Sequence, residues 1–156
     1  MEKFIIIAGS PNSGKTISAN KTIQKLVADG FVPVHSFAGK VTPFWTITNA
    51  QGDETSVGDV TLEKNGKKVL VISYGDIVGS LNWIFNRVHY GDYYAIVCCS
   101  HATRGKQVFN FFHDKIGQIN LDKTKVIPIY KNLLSGHVNY QKENEHTADL
   151  IFELLQ

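Results

Sequence analysis

The chain has 156 residues, 43% of them apolar and 19% charged, with a formal net charge of +2. That size and balance point to one globular domain, spanning 1–156, with room for a real core. They argue against a nucleic-acid binder, because the sixteen basic residues are scattered, with no run longer than Lys67-Lys68.

The first element is an apolar run, Phe4-Ile5-Ile6-Ile7-Ala8, which predicts a buried strand. It is about five residues long, too short for a signal peptide or a membrane span, so a cytoplasmic setting and no membrane partner are expected. The run leads into Gly9-Ser10-Pro11-Asn12-Ser13-Gly14-Lys15-Thr16, which has the form G-x-x-x-x-G-K-[ST]. At average composition that pattern turns up roughly once in two hundred chains of this length. A strand before it and a helix after it narrow the odds further. The glycines let the backbone curl so that several N–H groups point inward at a polyphosphate. Lys15 is placed to lie beside the β- and γ-phosphates, and Thr16 to offer its hydroxyl to Mg²⁺. The helix starting here adds its positive dipole end.

Residues 15–29 read as that helix, with Ala19, Ile23, Leu26 and Val27 on one face and Gly30 just past its end. A short strand, Val34-His35-Ser36-Phe37, follows Pro33. The segment 38–58 is the least regular part. It has a possible strand at Trp45-Thr46-Ile47-Thr48 and a polar, turn-like piece from Asn49 to Ser56. So long a connection in a small domain is usually functional, and it is a candidate lid or switch.

Val60-Thr61-Leu62-Glu63 alternates, and Asn65-Gly66 is a strong hairpin signal because both residues tolerate positive φ. Val69-Leu70-Val71-Ile72 is continuously apolar, as a central strand covered on both faces would be. Ile77, Leu81, Ile84, Phe85 and Val88 mark an amphipathic helix that ends at Gly91-Asp92. Tyr94 to Cys99 is the next central strand. A helix runs from Thr103 or Arg104 to Ile116. Val126-Ile127-Pro128-Ile129-Tyr130 is a further strand, and its proline suggests a place near the sheet edge. A last helix spans about Asn144 to Leu155. The fold class expected is an α/β three-layer sandwich with a mostly parallel sheet and an antiparallel hairpin. Cys98 and Cys99 are adjacent, point to opposite faces of a strand and read as small buried hydrophobes rather than a disulfide.

In an open parallel sheet, ligands sit beyond the carboxyl ends of the strands. Ser73-Tyr74-Gly75-Asp76 follows one strand, Ser100 to Lys106 the next, and Lys131-Asn132 the last. Asp76 is the best acid on this edge, able to hold the metal or to act as a base; it also suits the N-cap of the helix at Ile77. Asp53, Glu54 and Asp59 are substitutes. Arg104, one of only two arginines, lies in a Thr-Arg-Gly-Lys turn and offers a permanent charge to a γ-phosphate or its transition state; the other reading is a surface arginine. His101 is a candidate for orienting water or touching the base, or else an exposed loop histidine.

The eight residues Gly9 to Thr16 resemble the P-loop NTPase superfamily. The hairpin ahead of a central strand resembles the layout of small GTPases, but no Asn-Lys-x-Asp tetrapeptide occurs, and Ser-Tyr-Gly-Asp stands where Asp-x-x-Gly is expected. ATP is therefore expected rather than GTP. The combined pattern resembles small uncharacterised ATP-binding proteins of bacteria and phages. The resemblance implies a Mg²⁺-dependent ATP-binding protein with hydrolase activity. Gly9, Ser10, Pro11, Asn12, Ser13, Gly14, Lys15, Thr16 and Ile17 would hold the nucleotide, Thr16 and Asp76 the metal, and Lys15, Asp76 and Arg104 would serve catalysis. Two alternatives stay open. One is a small-molecule or nucleotide kinase. The other is a nucleotide-dependent switch with little turnover, in which 38–58 orders around the γ-phosphate and presents a surface to a protein partner.

Overall fold

The computed structural model describes residues 1–37, 45–48, 54–73, 78–101, 107–119, 122–131 and 137–156, with backbone alone at 45–48, 54–57, 107–109 and 137. In chain order the strands are β1 (Lys3–Gly9), β2 (Val32–His35), β3 (Trp45–Thr48), β4 (Glu54–Val57), β5 (Asp59–Lys64), β6 (Lys67–Ile72), β7 (Ala95–His101) and β8 (Lys125–Lys131). The helices are α1 (Lys15–Ala28), α2 (Val78–Phe85), α3 (Gln107–Ile116) and α4 (His137–Leu155), with a 3₁₀ turn at Tyr90–Asp92.

Six strands form one sheet in the order β2-β5-β6-β7-β1-β8. The strands β6, β7, β1 and β8 are parallel, while β2, β5 and β6 pair antiparallel. The Asn65-Gly66 turn joins β5 to β6 with φ of 51° and 78°, the conformation its residues predict. The continuous apolar run of β6 is buried, as a strand flanked on both sides should be. Pro128 lies on β8, at the sheet edge, where the missing N–H costs no ladder bond. β2 begins at Val32, two residues before the predicted start, and takes Pro33 into an edge strand whose register shifts beside it.

Alternation along β1 divides the core. Phe4, Ile6 and Ala8 pack with Leu81, Ile84 and Phe85 of α2 and Phe112 of α3. Ile5 and Ile7 pack with Ala19, Ile23 and Leu26 of α1 and Ile151 and Leu155 of α4. Helices thus cover both faces of the sheet, as a three-layer α/β arrangement requires. Phe85 meets Phe4 and Phe112 edge to face, and Phe4 and Phe112 are tilted to each other, all at 5.8–6.3 Å, which fixes α2 and α3 against β1. Cys98 and Cys99 are free and buried on opposite faces, and burial pushes the Cys98 thiol well above its ordinary value.

Part of 38–58 is regular. β3 and β4 pair antiparallel, and β4 runs beside α1. Glu54 to Ser56, the end of the piece that reads as turn-like, lies in β4 instead, because its partner β3 supplies the ladder that its own composition does not advertise. The rest of that candidate lid, 38–44 and 49–53, lies outside the described residues. Among the described residues no helix is long and apolar enough to cross a membrane.

Candidate functional site

Gly9 is the last residue of β1 and Lys15 the first of α1, so the glycine-rich loop spans the turn between them. Asn12 and Gly14 both take positive φ, 61° and 82°. Gly14 is the N-cap, and its carbonyl accepts the Ser18 N–H at 2.9 Å, the first bond of the helix. The first turn of α1 contains no acid, so its positive end is not neutralised from within. Lys15 is buried, and its Nζ donates to the carbonyls of Ser10 at 2.9 Å and Gly9 at 3.3 Å.

Both flanks of Gly9 are defined by the sheet. His101 of β7 is in register with it on one side and Lys131 of β8 on the other. His101 thus belongs to a strand end rather than a loop, half-buried at the edge of the glycine turn. Lys131 is buried with its side chain fully enclosed. Its ammonium donates to Glu143 and, at 3.2 Å, to Thr147 Oγ1, both on α4. Burial pulls its pKa below the ordinary lysine value, the Glu143 carboxylate opposes that shift, and the nearby Lys15 charge adds to it.

The C-terminal helix forms the back wall of the loop. Asn144 is fully buried, its amide against Gly14, and accepts from Ser18 Oγ at 3.4 Å. A β-carbon on Gly14 would collide with that amide, and one on Gly9 would collide with Ser13 Oγ and lie 3.0 Å from the Lys131 carbonyl. Both glycines of the motif are therefore required by the neighbour packed on them, and Gly14 by its positive φ as well. Ser13 Oγ and Asn144 Nδ2 are buried without a hydrogen-bond partner among the described residues. On the outer side, Lys21 and Lys25 of α1 bind Glu145, and Lys25 also binds Asp149, at 2.5–2.7 Å, clamping α1 to α4.

Pro11 and Asn12 are exposed at the loop tip, Ser10 and Thr16 are half-buried, and Ile17 is buried in α1. Asp76 and Arg104 lie outside the described residues. So does Asp53, and of Glu54 only the backbone is described. Asp59 is buried and accepts the Phe37 N–H at 2.6 Å, which ties one carboxylate oxygen to the end of β2. Ser73 exchanges hydrogen bonds with both backbone groups of Gly58, closing the end of the β5–β6 pair. The other arginine, Arg87, stacks on Trp83 at 4.2 Å and donates to its carbonyl, away from the loop.

Strand order adds a constraint. β7 lies between β6 and β1, so the end of β6 is two strand spacings, roughly 10 Å, from the glycine loop. Ser100 and His101 are one spacing away. The roles of Lys131, Glu143, Asn144 and Thr147 were not legible from motif or hydropathy, because buried polar residues break the apolar pattern. The one available signal was spacing: Tyr140, Asn144, Thr147, Ala148, Ile151 and Leu155 make one helical face.

No protein-family model, curated protein or solved structure matches this chain.

Proposed function

We propose that the chain is a P-loop-type nucleotide-binding protein that takes ATP with Mg²⁺ at Gly9–Ile17 and hydrolyses it. One observation carries this reading. The Lys15 ammonium lies at the N-terminus of α1, folded onto the carbonyls of Gly9 and Ser10, with no acid in that turn. A polyphosphate presents better acceptors than two backbone carbonyls, and the helix end favours its charge. The donor set fits a triphosphate: one lysine, the loop N–H groups and the buried Ser13 hydroxyl.

Mg²⁺ held with a nucleotide needs only one or two protein ligands besides phosphate and water. Thr16 and Asp76 meet that requirement by residue type. When bound, the ion would offset phosphate charge. Lys15 would bind the β- and γ-phosphates, and Arg104 would balance charge that develops as the γ-phosphate leaves. A cytoplasmic setting, where ATP and Mg²⁺ are plentiful, suits this activity.

The test is ATP binding and phosphate release in the wild type and in Lys15→Ala. Loss of both in the variant is expected. Unchanged affinity and turnover would remove the site assignment. Labelled γ-phosphate appearing on a metabolite, rather than as free phosphate, would make the protein a kinase, and tight binding with neither would make it a switch. A clear preference for GTP would overturn the choice of base.

A further inference from the structure

A cavity of about 200 Å³ opens on the α2/α3 face of the sheet, at the carboxyl end of β1. Its floor follows from register. Ala8 pairs with Ser100 on one side and Tyr130 on the other, so the three side chains form one row on one face. Ile6 and Pro128 form the row below, and Phe112 and Ile116 of α3 make the roof. The space exists because Ala8 ends the run Phe4-Ile5-Ile6-Ile7 with a methyl group, and Ser100 is small beside it. An isoleucine at position 8 would fill it.

The lining is mainly aliphatic and aromatic, and the Ser100 hydroxyl donates to the His101 carbonyl at 3.1 Å. The polar groups, Ser100, His101 and His113, stand with Tyr130 among its lining, and Ser100 and His101 adjoin the glycine loop. Tyr130 is a large ring left 70% exposed at the penultimate position of β8, one residue before the strand position level with Gly9. The volume is below the roughly 300–1,000 Å³ of sites for drug-sized ligands, so it suits a single ring system.

We propose that this cavity is the seat of one planar heteroaromatic ring, a nucleobase, stacked against Tyr130 with its edge toward Ser100 and His101. The inference rests on the nucleotide reading of the glycine loop. The ring has two sources: the base of the nucleotide held by that loop, or the base of a separate nucleoside lying beside the phosphates. An apolar slot with a few polar groups in its lining and an exposed aromatic wall recognises either.

The experiment uses the full chain and three probes: inorganic tripolyphosphate, ATP and a free nucleoside (adenosine and guanosine in turn). Titration calorimetry measures affinity, and NMR follows the Ala8 methyl and Tyr130 ring signals. ATP should bind about tenfold or more tighter than tripolyphosphate, the order of one base-on-aromatic stack. Tyr130→Ala should remove most of that advantage and leave tripolyphosphate affinity within about twofold, since an exposed side chain adds little to folding. Ala8→Leu should do the same by filling the space. If it fails to fold, Tyr130→Ala and the NMR shifts decide alone.

A nucleoside that shifts both signals and competes with ATP identifies the nucleotide's own base. One that binds together with ATP identifies a separate molecule. The proposal is overturned if ATP and both nucleosides leave the Ala8 and Tyr130 signals unmoved, or if Tyr130→Ala leaves the ratio of ATP to tripolyphosphate affinity unchanged. Failure of the nucleotide reading looks different. Tripolyphosphate then fails to bind, or binds Lys15→Ala equally well, and the cavity is judged on nucleoside shifts alone.

Discussion

The side-chain oxygen of Asn144 stands where a β-carbon on Gly14 would have to go. Gly14 also holds φ at 82°, in the left-handed region. Gly14→Ala therefore meets two penalties, about 1 kcal/mol or more for the backbone and a further cost for the collision. A loss of about 2 kcal/mol or more is expected from denaturant unfolding. Coupling to Asn144→Ala should make the double variant less destabilised than the sum of the singles. Strict additivity would contradict the contact.

Lys131 and Glu143 link β8 to α4. Glu143→Gln leaves an enclosed ammonium without its carboxylate and should cost about 3 kcal/mol, measured the same way. Replacing both partners, Lys131→Met with Glu143→Leu, should recover most of that loss, because desolvation and attraction are removed together. A double variant as unstable as Glu143→Gln would show that the pair acts through something other than charge compensation.

Acid should loosen the α1–α4 clamp. Hydrogen bonds from Lys21 and then Lys25 hold Glu145 below its ordinary 4.5, and Lys64 lowers Asp29 below 3.8. Groups lowered in the folded state contribute stability that is complete above their unfolded values and disappears as pH falls through the folded ones. Thermal midpoints followed from about pH 6 to about pH 2 should fall modestly below the ordinary carboxylate range, since these pairs are largely exposed. Glu145→Gln should flatten part of that fall, and added salt should shrink the difference between the two proteins.

Thiol chemistry offers a check on the core. Cys98 and Cys99 are buried on opposite faces of a central strand, and the Cys98 thiol is pushed up by burial. Neither should react with an aromatic disulfide reagent faster than the protein opens. Rapid native-state labelling of either would place that face of β7 nearer to solvent than the packing allows.

Nucleotide should stabilise the fold by linkage. ATP with Mg²⁺ at about a hundred times its dissociation constant should add about 2.7 kcal/mol, visible as a raised melting temperature. Chelating the metal should remove much of this gain, and Lys15→Ala should remove nearly all of it. A melting temperature indifferent to ATP in the wild type would count against the proposed ligand.

Period and turn chemistry made most of the fold legible. The parallel strands ending near Ala8, Ile72, Cys99 and Tyr130, the Asn65-Gly66 hairpin and the edge position of Pro128 all follow from local pattern. Strand order does not, because nothing local says that β7 separates β6 from β1. The helix α4 starts seven residues before its predicted first residue, at His137 rather than Asn144. Its first two turns, 137–143, hold only Val138 and Tyr140 as apolar residues, and Asn144 just after them is buried with its hydrogen-bond partner, Ser18, 126 residues away in sequence. A contact of that separation leaves no trace in hydropathy. The glycine loop itself was readable because its constraint is local; the wall behind it was not, because its constraint is tertiary.

That wall sets an order of events during synthesis. The glycine loop is made within the first sixteen residues, but Glu143, Asn144 and Thr147, which brace it, are among the last twenty of the chain. On a ribosome the loop must wait for the residues of α4, more than a hundred positions later, before its supports arrive. Chains truncated before Glu143 should lack the wall behind the loop and, on the proposed reading of the site, should hold nucleotide less well than the 156-residue chain.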